Sequence, residues 1–188
     1  VDNNSSDSTA EVARKNGARV VFEPINQISR ARNAGAREAL GRFLLFVDAD
    51  TLVPKKLLRD AVHGLAFDNL GAGGSILRFE RIEGKGFLIS SLPNLWNFIS
   101  RGLCLAAGSF LFVRKDAFEA VGGFSEKVYA GEEIFLSNAL KRWCRKNKKP
   151  FRIMARTPVL TSSRKLQWFS PLRLLSVIVL PLLCPLAL

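Results

Sequence analysis

The chain has 188 residues, of which 48% are hydrophobic, enough apolar material for one core-burying domain and too much for a disordered polymer. Its net charge of +12 is unevenly placed: from Ile134 to the C-terminus there are eleven Lys or Arg residues and no Asp or Glu. That asymmetry calls for an anionic partner, which a membrane surface, a phosphate-bearing substrate or nucleic acid would each provide, unless it is a merely solvated basic face. Cys104, Cys144 and Cys184 lie 40 residues apart, which is neither a disulfide framework nor metal-ligand spacing and fits a reducing compartment.

Val1-Asp2 reads as the end of a strand, so the strand before it is expected to be missing and the chain to be a fragment. Ser8 and Glu11 have capping-box spacing, which predicts a short helix ending near Gly17. Ala18 to Phe22 is a β-rich run closed by Pro24. Ser29 is expected to cap a second helix running through Ala31, Ala34, Ala39 and Leu40 and ended by Gly41. The continuous apolar run Phe43 to Val47 then suits a strand covered on both faces, as in a parallel sheet.

Asp48-Ala49-Asp50 follows that strand directly, and Pro54 marks the start of a helix with Leu57, Leu58, Ala61, Val62 and Leu65 on its apolar face. A further strand is expected around Ser75 to Phe79, after the glycine-rich segment Gly71 to Gly74. Residues Phe87 to Leu103 are apolar but interrupted by Pro93, Asn94, Asn97 and Arg101, which predicts an amphipathic or lid-like segment near the substrate. Ser109 to Val113 reads as a strand, Asp116 to Val121 as a short helix, Gly122-Gly123-Phe124 as a turn, and Glu133 to Lys146 as a helix with a basic tail. The alternation is that of an α/β layer fold with a mostly parallel sheet flanked by helices.

From Leu174 to Leu188 every residue except Ser176 is apolar or Pro. Residues 171–188 therefore read as a truncated transmembrane or interfacial segment following a catalytic domain over 1–165, since a membrane-spanning helix needs roughly 20 residues. Arg164, Lys165 and Arg173 just before it place the globular part on the cytoplasmic side by the positive-inside bias.

Ligands of open α/β sheets bind at the carboxyl ends of strands, and here two carboxylates end the most hydrophobic strand in the chain. Asp48 and Asp50 at such a point suit a divalent cation, Mn2+ or Mg2+, held through oxygen ligands, which would neutralise a diphosphate. Acidic pairs in loops also cap helices or stay solvated. Asp2 is placed either to meet a base or ribose in the same crevice or to make a turn with Asn3, Asn4, Ser5 and Ser6. Glu132 and Glu133 open a helix, where they serve either as general base toward an acceptor hydroxyl or as favourable charge at the helix N-terminus. His63 stands alone, and Trp96, Trp143 and Trp168 are expected to be packing or interfacial residues.

The strings VDNNSSDST, ARNAGAREALGRFLLFVDADT, GSFLFVRKDAFEAVGGFSE and GEEIFLSNALKR together resemble, in order and spacing, the family 2 glycosyltransferases with the GT-A fold, from Val1 to about Arg142. The resemblance implies a Rossmann-like GT-A sheet and an inverting, metal-assisted transfer from a nucleotide sugar. By position, it implies that Asp2 contacts the nucleobase and that Asp48 and Asp50 form the metal and ribose-diphosphate motif. It also puts Arg32 and Asn33 near the nucleotide and makes Glu132 and Glu133 the acidic dipeptide whose second member acts as base, although that member is most often Asp. The strand that carries the family's Pro and Tyr-Asn nucleotide motif is the one expected to be missing. Separately, the Gln-x-x-Arg-Trp motif of processive synthases is not found after Glu133, Gln167-Trp168 being a partial echo, and this argues for single-sugar transfer.

The resulting expectation is a membrane-associated enzyme with a nucleotide-sugar donor, a lipid-linked or glycan acceptor and no nucleic acid partner. Two rival readings are a nucleotidyltransferase of similar fold, which would carry a Gly-rich phosphate loop near its first strand, and a basic nucleic-acid- or membrane-binding protein without enzymatic activity. The second explains the charge but not a buried strand ending in Asp-x-Asp. A truncated, inactive relative that anchors a partner is a further alternative.

Overall fold

A computed structural model describes residues 1–79, 87–128 and 131–162, for 87–93 the backbone only. It has three layers. The central sheet contains β1 (Phe43–Val47), β2 (Thr51–Leu52), β3 (Ala72–Phe79), β4 (Phe110–Arg114) and β5 (Phe151–Thr161), in the order β1-β4-β3-β5-β2. The helices are α1 (Thr9–Lys15), α2 (Ile28–Glu38), α3 (Lys55–Ala66), α4 (Phe87–Leu103), α5 (Lys115–Ala120) and α6 (Glu132–Lys146).

The sheet is mixed, which corrects the mostly parallel arrangement expected from sequence. β4 runs antiparallel to both β1 and β3, and β2 antiparallel to β5, while β3 and β5 are parallel. An apolar run records cover on both faces, whatever the direction of the neighbouring strand. Leu44, Phe46, Leu111 and Val113 face a core shared with Ala36 of α2, Phe118 of α5 and Leu136 and Leu140 of α6. Phe110 and Phe112 face the opposite core with Leu57, Ala61 and Leu65 of α3, and Phe43 and Leu45 of β1 pack on its margin. Leu58 and Val62, expected on the buried face of α3, are exposed.

Several boundaries differ from the sequence reading for local physical reasons. Ser8 sits at the start of α1 but makes no side-chain cap; instead the Asp7 carboxylate accepts from the Thr9 backbone N–H at 2.9 Å and hydroxyl at 2.5 Å. The run Ala18 to Phe22 forms only a parallel bridge between Phe22 and Asp2, with the Asp2 N–H donating to the Val21 carbonyl at 2.8 Å. Gln27 rather than Ser29 precedes α2, and its amide reaches the carbonyls of Glu126 and Val128, tying the helix start to the loop before α6. The same helix stops at Glu38, and Leu40 is 89% exposed instead of helical.

Most of the glycine-rich segment, Ala72 to Gly74, lies inside β3, with only Gly71 before it. A Cβ on Gly74 would come within 2.7 Å of the Ala106 Cβ, so the glycine permits a close crossing rather than breaking the strand. β5 has no counterpart in the sequence reading, because Arg152, Arg156, Thr157 and Pro158 obscure its alternation. Its register against β3 shifts between Ser75 and Leu77, and the Ser75 hydroxyl accepts the Val159 N–H there at 3.2 Å. Pro158, which has no N–H to offer a ladder, falls at this irregularity.

The segment read as amphipathic is helix α4. Asn97 fastens it to β3, accepting from the Leu77 N–H and donating to the Leu77 carbonyl, both at 2.8 Å. Leu95, Phe98 and Leu103 are exposed on its outer side. Among the described residues no helix is long and apolar enough to cross a membrane, and the stretch expected to be a membrane segment lies outside them.

Candidate active site

β1 ends at Val47, and the chain turns at once: the Thr51 N–H donates to the Asp48 carbonyl at 3.0 Å, closing a four-residue turn that carries both aspartates. The far side of the turn is held by β5, through the Ser162 N–H to the Asp50 carbonyl at 3.2 Å and through Thr51 and Thr161, whose hydroxyls lie 3.1 Å apart. Both aspartates are half-buried.

The acidic dipeptide arrives from the other end of the chain. Gly131, at φ 74°, adopts a left-handed turn that a glycine tolerates without strain, and α6 begins directly after it. Glu132 and Glu133 thus occupy its first turn, where the helix dipole favours negative charge. Glu132 is buried and Glu133 half-buried. Burial pushes the Glu133 carboxyl up to about 7; the Glu132 charge beside it adds to the rise and Arg32 opposes it.

Arg32 joins the two groups. Its Nη1 donates to Glu132 Oε1 at 2.8 Å and its Nη2 to Asp48 Oδ1 at 2.8 Å, so one guanidinium spans the strand-end aspartate and the helix-start glutamate. Nη2 also reaches the Gly108 carbonyl at 3.1 Å, and the guanidinium carbon lies 5.1 Å from the centre of the Phe124 ring.

Asn33, its neighbour on α2, points elsewhere. It is buried, accepts from the Phe124 N–H at 3.0 Å and donates to the Phe124 carbonyl at 2.9 Å and to Glu126 at 3.0 Å. These bonds pin the glycine turn, where Gly122 and Gly123 have φ of 83° and 73°. Asp2 is buried in its own turn, its carboxylate accepting the Ser5 N–H at 3.2 Å. Its neighbours Val1 and Asn3 line a cleft of about 600 Å³ that runs between α2 and the open edge of β1 and includes Arg32 and Asp48.

Asp48, Arg32 and Glu132 are therefore directly bonded, with Glu133 next in the chain, while Asp2 and Asn33 hold turns at the margin. Sequence reading assigned no role to Gly108, Phe124 or Glu126. All three lie in the strings that carry the family resemblance, but only the folded chain shows that they support Arg32 and Asn33.

The donor set of Asp48 and Asp50 is all oxygen, which suits Mn2+ or Mg2+. Among the described residues no group of three or more His, Cys, Asp or Glu side chains can hold a metal ion. Two carboxylates fit a cation that completes its coordination with phosphate oxygens and water, the usual arrangement for Mg2+ at phosphate sites.

A mixed α/β sheet with carboxylates converging at a strand end and a helix start defines a GT-A-like domain. The chain belongs to the glycosyl transferase family 2, whose profile matches residues 1–122. No match is found among curated proteins. Among solved structures, the chain is similar to the mannosyltransferase PcManGT from Pyrobaculum calidifontis in complex with GDP-Man and Mn2+, at 20% identity and a TM-score of 0.59, covering 84% of this chain and 44% of that one. It is also similar to S. aureus TarS 1–349, at 18% identity and a TM-score of 0.63 over 92% of this chain and 52% of that one. A third is glucosyl-3-phosphoglycerate synthase from Mycobacterium tuberculosis in complex with Mn2+, UDP and glucosyl-3-phosphoglycerate, at 15% identity and a TM-score of 0.62 over 95% of this chain and 66% of that one. At these identities the likeness is one of fold, and the chain spans about half the length of the first two structures.

Proposed function

We propose that the protein is an inverting glycosyltransferase that moves a sugar from a nucleotide-sugar donor to a hydroxyl of a membrane-associated lipid or glycan acceptor. The observation that carries this reading is the meeting of Asp48, at the end of β1, with the Glu132-Glu133 pair at the start of α6, through Arg32. A transfer of this kind needs one group of carboxylates at the donor diphosphate and another at the acceptor hydroxyl. The domain supplies both at one end of the sheet.

In this reading Glu133 accepts the proton of the acceptor hydroxyl as its oxygen bonds to the anomeric carbon, and the bond from that carbon to the diphosphate breaks on the opposite side. The electron pair of the broken bond leaves with the nucleoside diphosphate. A Mn2+ or Mg2+ ion held by Asp48 and Asp50 would supply positive charge to the departing diphosphate. A carboxyl raised to about 7 holds a proton more readily than an ordinary glutamate and still ionises near neutral pH, which suits a general base. Asp2 and the cleft beside it are where we place the nucleoside. The GDP-Man and UDP named for the similar structures support this class without choosing a base or a sugar.

Two features support a membrane-associated acceptor, with the catalytic domain on the cytoplasmic side. The outer side of α4 exposes Leu95, Phe98 and Leu103, and the Leu103 carbonyl accepts from Lys141 Nζ at 2.7 Å, joining this apolar side to the basic end of α6. Arg145 and Lys146 continue that basic end, and an apolar strip beside cations suits an anionic lipid surface.

The test is nucleotide binding. Calorimetry with UDP, GDP, CMP and dTDP, with and without Mn2+, should give selective, metal-dependent binding by the wild type that Asp50→Asn abolishes. Metal-independent or unselective binding, or unchanged binding in Asp50→Asn, refutes the site.

A further inference from the structure

Carboxylates gathered at one site repel one another, and a flexible side chain between them would leave their separation undefined. Arg32 meets both difficulties. It lies within helix α2, and its guanidinium is planar with donors in fixed directions. Those directions here serve two different carboxylates rather than one: Glu132 through Nη1 and Asp48 through Nη2, each at 2.8 Å.

The guanidinium is itself held. The Gly108 carbonyl accepts from Nη2 at 3.1 Å, and the Phe124 ring lies against the guanidinium at 5.1 Å. The space is closely fitted, since a Cβ on Gly108 would stand 2.8 Å from Nη2. The Phe124 backbone is fixed in turn by Asn33, one residue along the same helix, through its N–H and its carbonyl. The Arg32 side chain is 12% exposed, and these contacts are with the protein itself.

We infer that Arg32 is a positioning residue for the transfer, a strut that ties the donor-side Asp48 to Glu132 and so fixes the distance from the donor carboxylates to the acceptor-side base. Glu132 is committed to this strut, and proton acceptance falls to Glu133. The inference rests on the function proposed above and assigns Arg32 a role other than direct contact with the nucleotide.

Arg32→Lys and Arg32→Gln separate the two roles. The wild type is first titrated with UDP, GDP, CMP and dTDP in the presence of Mn2+, and kinetics are followed with sugar nucleotides of whichever base binds. A strut predicts that the dissociation constant of the nucleoside diphosphate stays within about threefold in both variants while kcat falls on the order of 10²-fold, the cost of misplacing reacting groups by about 1 Å. Glu132→Gln removes the other end of the strut and should reproduce that split, with the double variant no worse than either single one. Nucleotide affinity falling in step with kcat/KM would make Arg32 a donor ligand, and unchanged kcat would make it merely structural; either result overturns the inference.

Should the wild type bind none of these four nucleotides, the proposed function fails, and the strut is judged separately by thermal melting. Asp48→Asn and Glu132→Gln should then be non-additive with Arg32 present and additive in an Arg32→Gln background. Additivity in both backgrounds rules out the strut.

Discussion

Replacing Glu133 by Gln is expected to make the protein more stable and less active, with a stability gain that depends on pH. Burial, reinforced by Glu132 and to a smaller extent by Asp48 and opposed by Arg32, raises the carboxyl from 4.5 to about 7 in the fold. A group whose folded value is raised contributes its stability below the unfolded value, near 4.5, and loses it as pH climbs through about 7. At about 1.4 kcal/mol for each tenfold change in proton affinity, ionising Glu133 costs the folded state up to about 3 kcal/mol above that range. Gln has the same shape and no charge to desolvate. The two proteins should therefore melt together near pH 4 and separate as pH rises, with the variant ahead by at most about 6–12 °C at pH 8 for a chain of this size. Scanning fluorimetry across pH 4–9 reads the difference directly, and parallel Tm curves for the two proteins would refute the assignment of a strained carboxylate. The same variant should lose transfer by roughly 10²- to 10⁴-fold, the range for removal of a general base.

Asn33→Ala removes the partner of the buried Phe124 N–H, which should cost about 1–3 kcal/mol in urea denaturation while nucleotide affinity stays close to that of the wild type. Gly108→Ala brings a methyl group against the Arg32 guanidinium, so kcat should fall about tenfold or more with little change in melting, as 1 Å of misplacement suffices for such a loss. For the membrane reading, Leu95→Ser combined with Phe98→Ser should weaken sedimentation with vesicles containing phosphatidylserine, and high salt should weaken it further. Binding to such vesicles that both treatments leave unchanged would refute a lipid contact through α4.

Local chemistry was legible in the sequence, and long-range pairing was not. β1, α3 and α6 were found within a residue or two, because each has an apolar pattern of one clear period and a marked start: the run Phe43 to Val47, the proline before α3 and the glycine before α6. Strand direction has no such local mark. β4 is as apolar as a buried parallel strand, yet it runs antiparallel to both neighbours. β5 escaped because its arginines and its proline are tolerated by a ladder that slips at Ser75, a compensation supplied by another strand.

The same division runs through the site. Asp48, Asp50, Glu132 and Glu133 are carboxylates whose positions, after a strand or at the head of a helix, are visible in one dimension. Arg32 was visible only as a member of a motif, and a cation near a proposed nucleotide site is naturally read as a phosphate ligand. Its partners lie 16, 76 and 100 residues away, at Asp48, Gly108 and Glu132. In a site of like charges, the cation between the acids sets their geometry, so the arginine's specificity comes from the three segments it holds together. A lysine would keep the charge but not the two fixed directions, and for that reason the Arg32→Lys variant, rather than a charge-neutralising one, is the sharper probe of how Asp48 and Glu132 are joined.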